Sequence, residues 1–251
     1  MSILAWFYGF LGVCIGSFLN VCIDRLPEGG SVLSPPSRCS NCNRRLSLLE
    51  LIPILSYIIL RGRCKECGEK IPARVLAVEV GTGVILILIW LRFGQSWQTY
   101  LYSMYCLLLV VVGVIDLEHQ KIFNYLIYPA IGVGFILIPI IHLSTPWMYL
   151  AGGLMGFGVL FLIAVLAPGA MGMGDVKLSI FLGLILGFPG IVVALFIAFV
   201  SGGFVAGVLL ALKKIKRKDP IAFGPYLALA GVITLLYGNQ IIEWWLRRLS
   251  G

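Results

Sequence analysis

Two aspartates and four cysteines are the residues of this sequence best placed to do chemistry. Asp175 stands in Met171-Gly-Met-Gly-Asp-Val-Lys177, behind two glycines at the edge of an apolar run, and Asp116 closes an earlier run. A carboxylate costs free energy in lipid, so a chain that keeps one at membrane depth usually uses it. Two carboxylates at one depth and face could form a dyad, because close together they cannot both ionise cheaply and so share a proton. The ionised one then takes a proton from water while the protonated one polarises a scissile carbonyl, which is aspartyl hydrolysis. Gly172 and Gly174 would let a substrate backbone approach closely. Each aspartate also has a plainer reading. Asp175 directly precedes Val-Lys-Leu-Ser and would make a good helix N-cap, and Asp116, followed by Glu118, His119 and Lys121, could be a solvated helix end. Spacing alone leaves open whether the two meet.

Cys39-Ser-Asn-Cys42 and Cys64-Lys-Glu-Cys67 form two C-x2-C pairs, whose four thiolates suit one tetrahedral zinc. Two disulfides are the competing reading, and a reducing, cytosolic loop favours the metal. Cys14, Cys22 and Cys106 lie in apolar runs and read as packing residues. Between the pairs, Leu46–Leu60 is largely apolar but contains Glu50 and Pro53. It is too short for a comfortable crossing, and crossing would put the two pairs on opposite sides. It is expected to lie along the membrane surface.

The elements that must position these groups follow from composition. Sixty per cent of the 251 residues are apolar and 12% are charged, with a mean hydropathy of +1.01. Soluble domains carry about a quarter charged residues, so this is an integral, multi-pass membrane protein. The first apolar stretch lacks a basic n-region and a small-residue cleavage site and reads as a retained helix. Eight spans are predicted: Ile3–Ile23, Val75–Leu91, Tyr100–Ile115, Ile122–Ile141, Trp147–Leu166, Val176–Gly187, Ile191–Leu212 and Ala222–Trp245. The run Leu178–Leu212 is too long for one crossing and is divided at Phe188-Pro-Gly190. The sixth span is short, which places Asp175 below the cytosolic edge or thins the bilayer there; either suggests a polar cavity.

Nine Lys/Arg lie in Asp24–Arg74 and five in Lys213–Lys218. An even number of crossings separates the two loops, so both fall on the cytosolic side, leaving Arg92, Arg247 and Arg248 outside. Asp116 and Asp175 then face the cytosol. The net charge of +8 is topogenic rather than a nucleic-acid footprint. The expected architecture is an all-α polytopic membrane protein of about eight transmembrane helices with a small cytosolic zinc-binding loop domain. Its segments are 1–24 as first helix, 25–74 as the tetracysteine loop and 75–251 as a transmembrane core. Asn20, Asp24 and Glu79 are the remaining polar residues in predicted helices. Asn20 could hydrogen-bond between helices, Asp24 could be an interfacial end, and Glu79 could line a site or pair with an Arg. Gly152/Gly156 and Gly203/Gly207 match small-xxx-small packing. No internal repeat is evident.

Gly16-Ser-Phe-Leu-Asn20 with Arg25-Leu-Pro27, the four cysteines, Ile52-Pro-Ile-Leu-Ser-Tyr57, Asp116, Gly172-Met-Gly-Asp-Val-Lys177 and Phe223-Gly-Pro225 follow in order. That series resembles the type IV prepilin peptidases over essentially the whole chain. The resemblance implies a bifunctional enzyme of the bacterial cytoplasmic membrane with its site facing the cytosol. Such enzymes cut the short basic leader from prepilins and pseudopilins, then N-methylate the new terminal residue, commonly Phe, with S-adenosylmethionine. It implies Asp116 and Asp175 as the catalytic pair, with Gly172, Gly174 and Lys177 around the second, and Cys39, Cys42, Cys64 and Cys67 as ligands of one structural zinc. The family usually has Ile-Pro after the first aspartate, whereas here Ile122 is followed by Phe123, which bears on how the next helix begins. No soluble-type nucleotide fingerprint is present, since the glycines around Met173 do not follow a strand. Methyl transfer therefore rests on the resemblance, and cleavage without it is an alternative. A proton-coupled transporter could also use an Asp pair beside a broken helix, though nearer the midplane and with no need of four cysteines. An assembly factor could use the zinc loop for docking but would have little use for both aspartates.

Overall fold

The structure of the chain, a computed structural model, describes residues 3–141, 144–169, 171–216 and 219–249. Arg217 and Lys218 of the second basic loop lie outside them. The described elements are α1 (Ile3–Arg25), α2 (Leu55–Ile59), α3 (Ala73–Phe93), α4 (Trp97–His119), α5 (Asn124–Ile141), α6 (Pro146–Leu166), α7 (Met173–Ala211) and α8 (Gly224–Leu249). A 3-10 turn covers Leu48–Leu51, and the cysteine loop holds two isolated β-bridges. Six helices are long and apolar enough to cross a membrane, namely α1, α3, α4, α6, α7 and α8, and α5 contains the shorter apolar stretch Asn124–Ile138. Among the described residues the chain is an all-helical, multi-pass membrane protein.

Although α7 runs over 39 residues, its backbone breaks at Gly187 (φ 65°) and Phe188, just before Pro189. Glycine takes that φ without steric cost, and Pro189 offers no N–H to the helical ladder. Packing partners show that the chain turns back there. A Cβ on Gly190 would lie 3.9 Å from Thr234, well inside α8, whereas one on Gly202 would lie 3.3 Å from Tyr226 at the start of α8. Counting the two halves of α7 separately, the apolar helical segments number about eight, in the order hydropathy predicts. The first half, 173–186, spans only about 21 Å at 1.5 Å per residue, short of a ~30 Å hydrocarbon core.

The chain falls into two compact units, Met1–Val111 and Val112–Gly251. In the first, α1 packs on α3 through small residues: a Cβ on Gly12 would lie 2.9 Å from the Gly83 Cα, and one on Gly16 2.9 Å from the Glu79 Cα. In the second, α6 packs on α7 equally closely. A Cβ on Gly183 would overlap the Gly152 carbonyl, and the Ser179 hydroxyl donates to the Gly156 carbonyl oxygen at 2.9 Å. Lipid supplies no hydrophobic drive between helices, so such close backbone approach and interhelical hydrogen bonds hold them together. Gly203 and Gly207 face open space instead. Leu46–Leu60 folds as the 3-10 turn and α2, with Leu48, Leu49 and Ile59 exposed. Neither piece is long enough to cross a bilayer.

Candidate active site and metal centre

Asp116 and Asp175 line one pocket of ≈ 360 Å³ in the second unit, together with linker residues 120–123, Asn124 at the start of α5, and Gly172–Gly174. Asp116 is 5% and Asp175 8% exposed. The helix-end readings of both give way to the observed backbone. α4 continues to His119, so Asp116 sits inside its last turn rather than at a solvated end. α7 begins earlier than expected, with Gly172 at the N-cap and Asp175 three residues further on, so Asp175 does not cap the helix. Asp116 Oδ2 accepts a hydrogen bond from the Gly224 amide at 3.0 Å. Asp175 Oδ1 is buried and has no hydrogen-bond partner among the described residues. The glycines explain how the parts fit. A Cβ at Gly174 would lie 2.8 Å from the Ile122 Cβ, one at Gly172 3.0 Å from Asp175 Oδ2, and one at Gly224 2.6 Å from Asp116 Oδ2. Lys177 does not line the pocket. Its Nζ donates to Asn124 Oδ1 at 2.8 Å and lies 5.0 Å from the Tyr128 ring centroid, tying the first turn of α7 to that of α5. Phe123 lines the pocket, and α5 begins directly after it at Asn124.

The four thiols form the second centre. Their Sγ atoms all lie within 4.8 Å of one another, with Cys39–Cys67 at 3.7 Å and Cys42–Cys64 at 4.0 Å. Tetrahedral zinc with Zn–S of ~2.3 Å would place its sulfurs ~3.8 Å apart, so the donor set fits that ion. All seven cysteines are free. Each C-x2-C is the same backbone unit. The Cys39 amide donates to the Arg44 carbonyl and the Cys64 amide to that of Glu69. Bridges pair Arg38 with Arg45 and Arg63 with Lys70, and the fifth residue of each, Asn43 or Gly68, has positive φ. In the sequence this short repeat shows only as the two cysteines of each pair and the arginine before them, Arg38 and Arg63. Backbone N–H groups of Cys67 and Glu66 pull the Cys64 thiol down to about 6 and those of Cys42 and Asn41 lower Cys39, which favours the thiolate at these two. Burial and the neighbouring thiols instead push Cys42 up to about 11. Arg44 joins the loop together: it meets both Glu50 oxygens, at 2.5 and 3.1 Å, and Glu66 between the second pair at 2.9 Å. Arg44 holds the Glu50 carboxyl at about 2, with Ser47 also donating to it.

Residues 10–93 match the family described as the bacterial peptidase A24 N-terminal domain, and residues 102–207 match the type IV leader peptidase family. A prepilin leader peptidase/N-methyltransferase of Bacillus subtilis is 30% identical over 96% of this chain and 97% of its own. Proteins of the same description from Stutzerimonas stutzeri and Aeromonas hydrophila are each 31% identical, covering 92% and 97% of this chain and 90% and 95% of theirs. The chain belongs to the type IV leader peptidase family. It is a membrane enzyme. No solved structure matches it.

In this family member, Asn20 and Glu79 lie in the first unit and do not line the aspartate pocket. Asn20, 5% exposed, donates from Nδ2 to the carbonyls of Gly16 and Val75, linking α1 to α3. Beside it, Arg74 and Asp24 form an ion pair at 2.6 Å. Glu79, 4% exposed, accepts at Oε2 from the Ile54 amide at 2.7 Å. Ile54 has φ 62°, a conformation that a β-branched residue adopts only under strain, and the buried acceptor holds it there. Gly224 belongs to the Phe223-Gly-Pro225 motif that the resemblance includes, but its contact with Asp116 was not expected from the sequence. Gly-Pro opening an apolar run is also the pattern of a helix start.

Proposed function

We propose that this enzyme cuts the leader peptide from type IV prepilins or pseudopilins at the cytosolic face of the bacterial cytoplasmic membrane and then N-methylates the new N-terminal residue from S-adenosylmethionine. The observation that carries the reading is one pocket lined by two buried aspartates, each within a turn of a helix end. A transporter would more naturally place its carboxylates near the midplane. The names of the relatives support the substrate and both activities.

In this reading the dyad holds one proton. The ionised aspartate takes a proton from a water, whose oxygen bonds to the scissile carbonyl carbon, while the other gives its proton to the carbonyl oxygen. Collapse of the neutral diol breaks the C–N bond, the amine leaving with the proton taken from water. The basic loops support a cytosolic site. Cys39, Cys42, Cys64 and Cys67 would hold one zinc, whose contribution is structural: it would close the loop and set the pose of Leu48–Ile59.

Cleavage of a membrane-embedded prepilin by purified enzyme tests the reading. Asp116→Asn and Asp175→Asn should each lower the rate at least about a hundredfold, the scale of a lost proton-transfer group, with membrane insertion intact. Near-wild-type cleavage by either variant would remove the dyad.

A further inference from the structure

We propose that Gly224, through its backbone amide, is a positioning residue that fixes Asp116 as the partner starting the reaction as carboxylate, leaving Asp175 to carry the shared proton. The inference rests on the dyad reading above and assigns its two members unequal roles.

Three observations carry it. The Gly224 N–H donates to Asp116 Oδ2 at 3.0 Å, while Asp175, more than nine-tenths buried, has an Oδ1 with no partner. Both carboxylates meet a backbone donor, Asp116 from Gly224 and Asp175 from Gly172, but Asp175 alone of the two keeps a buried oxygen that nothing satisfies, which disfavours its ionised form. Donation from a backbone amide favours the ionised form of its acceptor, and charge-assisted bonds of this kind are stronger than neutral ones. Gly224 also opens α8, with Pro225 next to it, so its N–H has no acceptor within the helix and is free to serve another group. Finally, the contact requires glycine. A Cβ at residue 224 would lie 2.6 Å from Oδ2 and 3.0 Å from Cγ of Asp116, so any side chain pushes the carboxylate off the amide.

The consequence for the reaction is directional. Asp116 accepts the proton of the attacking water, and the Asp175 hydroxyl donates to the carbonyl oxygen. When the diol collapses, Asp116 passes its proton to the leaving amine and Asp175 recovers its own from the diol hydroxyl. Both carboxyls return to their starting states.

Replacing Gly224 by glycolate exchanges the amide N–H for an ester oxygen and adds no atoms at Cα, so it removes the donor and otherwise only weakens the Phe223 carbonyl as an acceptor for Tyr226 and Leu227. Prepilin cleavage by this variant should show kcat down by about 10- to 100-fold, as for a lost charge-assisted hydrogen bond, with KM unchanged and the protein still folded. Gly224→Ala should lower kcat at least as far, and Gly224→Ser should not rescue it. An unchanged kcat in the glycolate variant overturns the proposal, as does a joint loss of kcat, KM and stability, which would mark a purely structural role. Asp116→Asn in the same preparation separates the two readings. If it cleaves, the dyad fails; if it is inactive and the glycolate variant is not impaired, this inference alone fails.

Discussion

A Cβ at Gly174 would lie 2.8 Å from the Cβ of Ile122, nearer than two carbons approach without one of them moving. The backbone fixes a Cβ whatever the rotamer, so no side-chain rotation takes Ile122 out of the way. Whatever yields must be backbone, either the linker before α5 or the first turn of α7 that carries Asp175. Gly172 differs, because its Cβ would meet only the far end of the Asp175 side chain, at 3.0 Å. Gly174→Ala should therefore displace the second aspartate and lower prepilin cleavage by roughly 10- to 100-fold, the scale that misplacement by ~1 Å produces. Membrane insertion should be retained. Wild-type cleavage by Gly174→Ala would mean that the linker gives way and the close contact does not hold Asp175 in place.

Among the elements, the cysteine loop depends least on a core. Its bridges are single, its short helical pieces contain no buried residues, and its polar links converge on Arg44. A metal would supply the cross-link that packing does not. Purified protein should contain close to one zinc per chain, and Cys39→Ser or Cys67→Ser should lower that content, since a hydroxyl is a poor zinc ligand and loss of one thiolate opens the tetrahedron. Metal-free protein with two disulfides would overturn the assignment. The loop is also anchored at its far end. The strained Ile54 amide, between the 3-10 turn and α2, is held by Glu79 on α3, so the pose of the loop is tied to a helix long enough to cross the membrane.

Across the whole molecule, every residue lining the aspartate pocket falls in the 112–251 unit and all four cysteines in the 1–111 unit. The two proposed reactions also need different chemistry. Hydrolysis needs a shared proton and an activated water. Methyl transfer needs an aligned donor and a neutral amine, and an α-amino group with pKa near ~8 is partly neutral at cytosolic pH. Asp175→Asn should therefore still methylate a pilin supplied already cleaved, with Phe at its N-terminus, as read by label transferred from S-adenosylmethionine. Replacing Cys39 and Cys42 should reduce methylation at least as much as cleavage. Loss of methyl transfer in correctly folded Asp175→Asn would show that one site serves both steps.

Much of the architecture was legible because it depends on local sums. An apolar run of about 20 residues declares a spanning helix by its own composition, and Phe188-Pro-Gly190 announces its break by backbone chemistry. The cysteine pairs were legible for the same reason, since C-x2-C brings two thiols together within a single turn of chain. Other features depend on which helices pack together. Asp116 and Asp175 share a pocket because glycines at 172, 174 and 224 let α7, α8 and the 120–123 linker close around them, and hydropathy does not encode that approach. The Gly224 amide lies 108 residues from the carboxylate it meets. Ile54 reads in sequence as an ordinary apolar residue; only the buried Glu79 carboxylate, 25 residues away, holds it at positive φ. Composition determined which segments enter the membrane, because burial in lipid is a property of each segment alone. Tertiary structure decided which polar atoms meet there, because each such meeting requires two distant segments to satisfy one another.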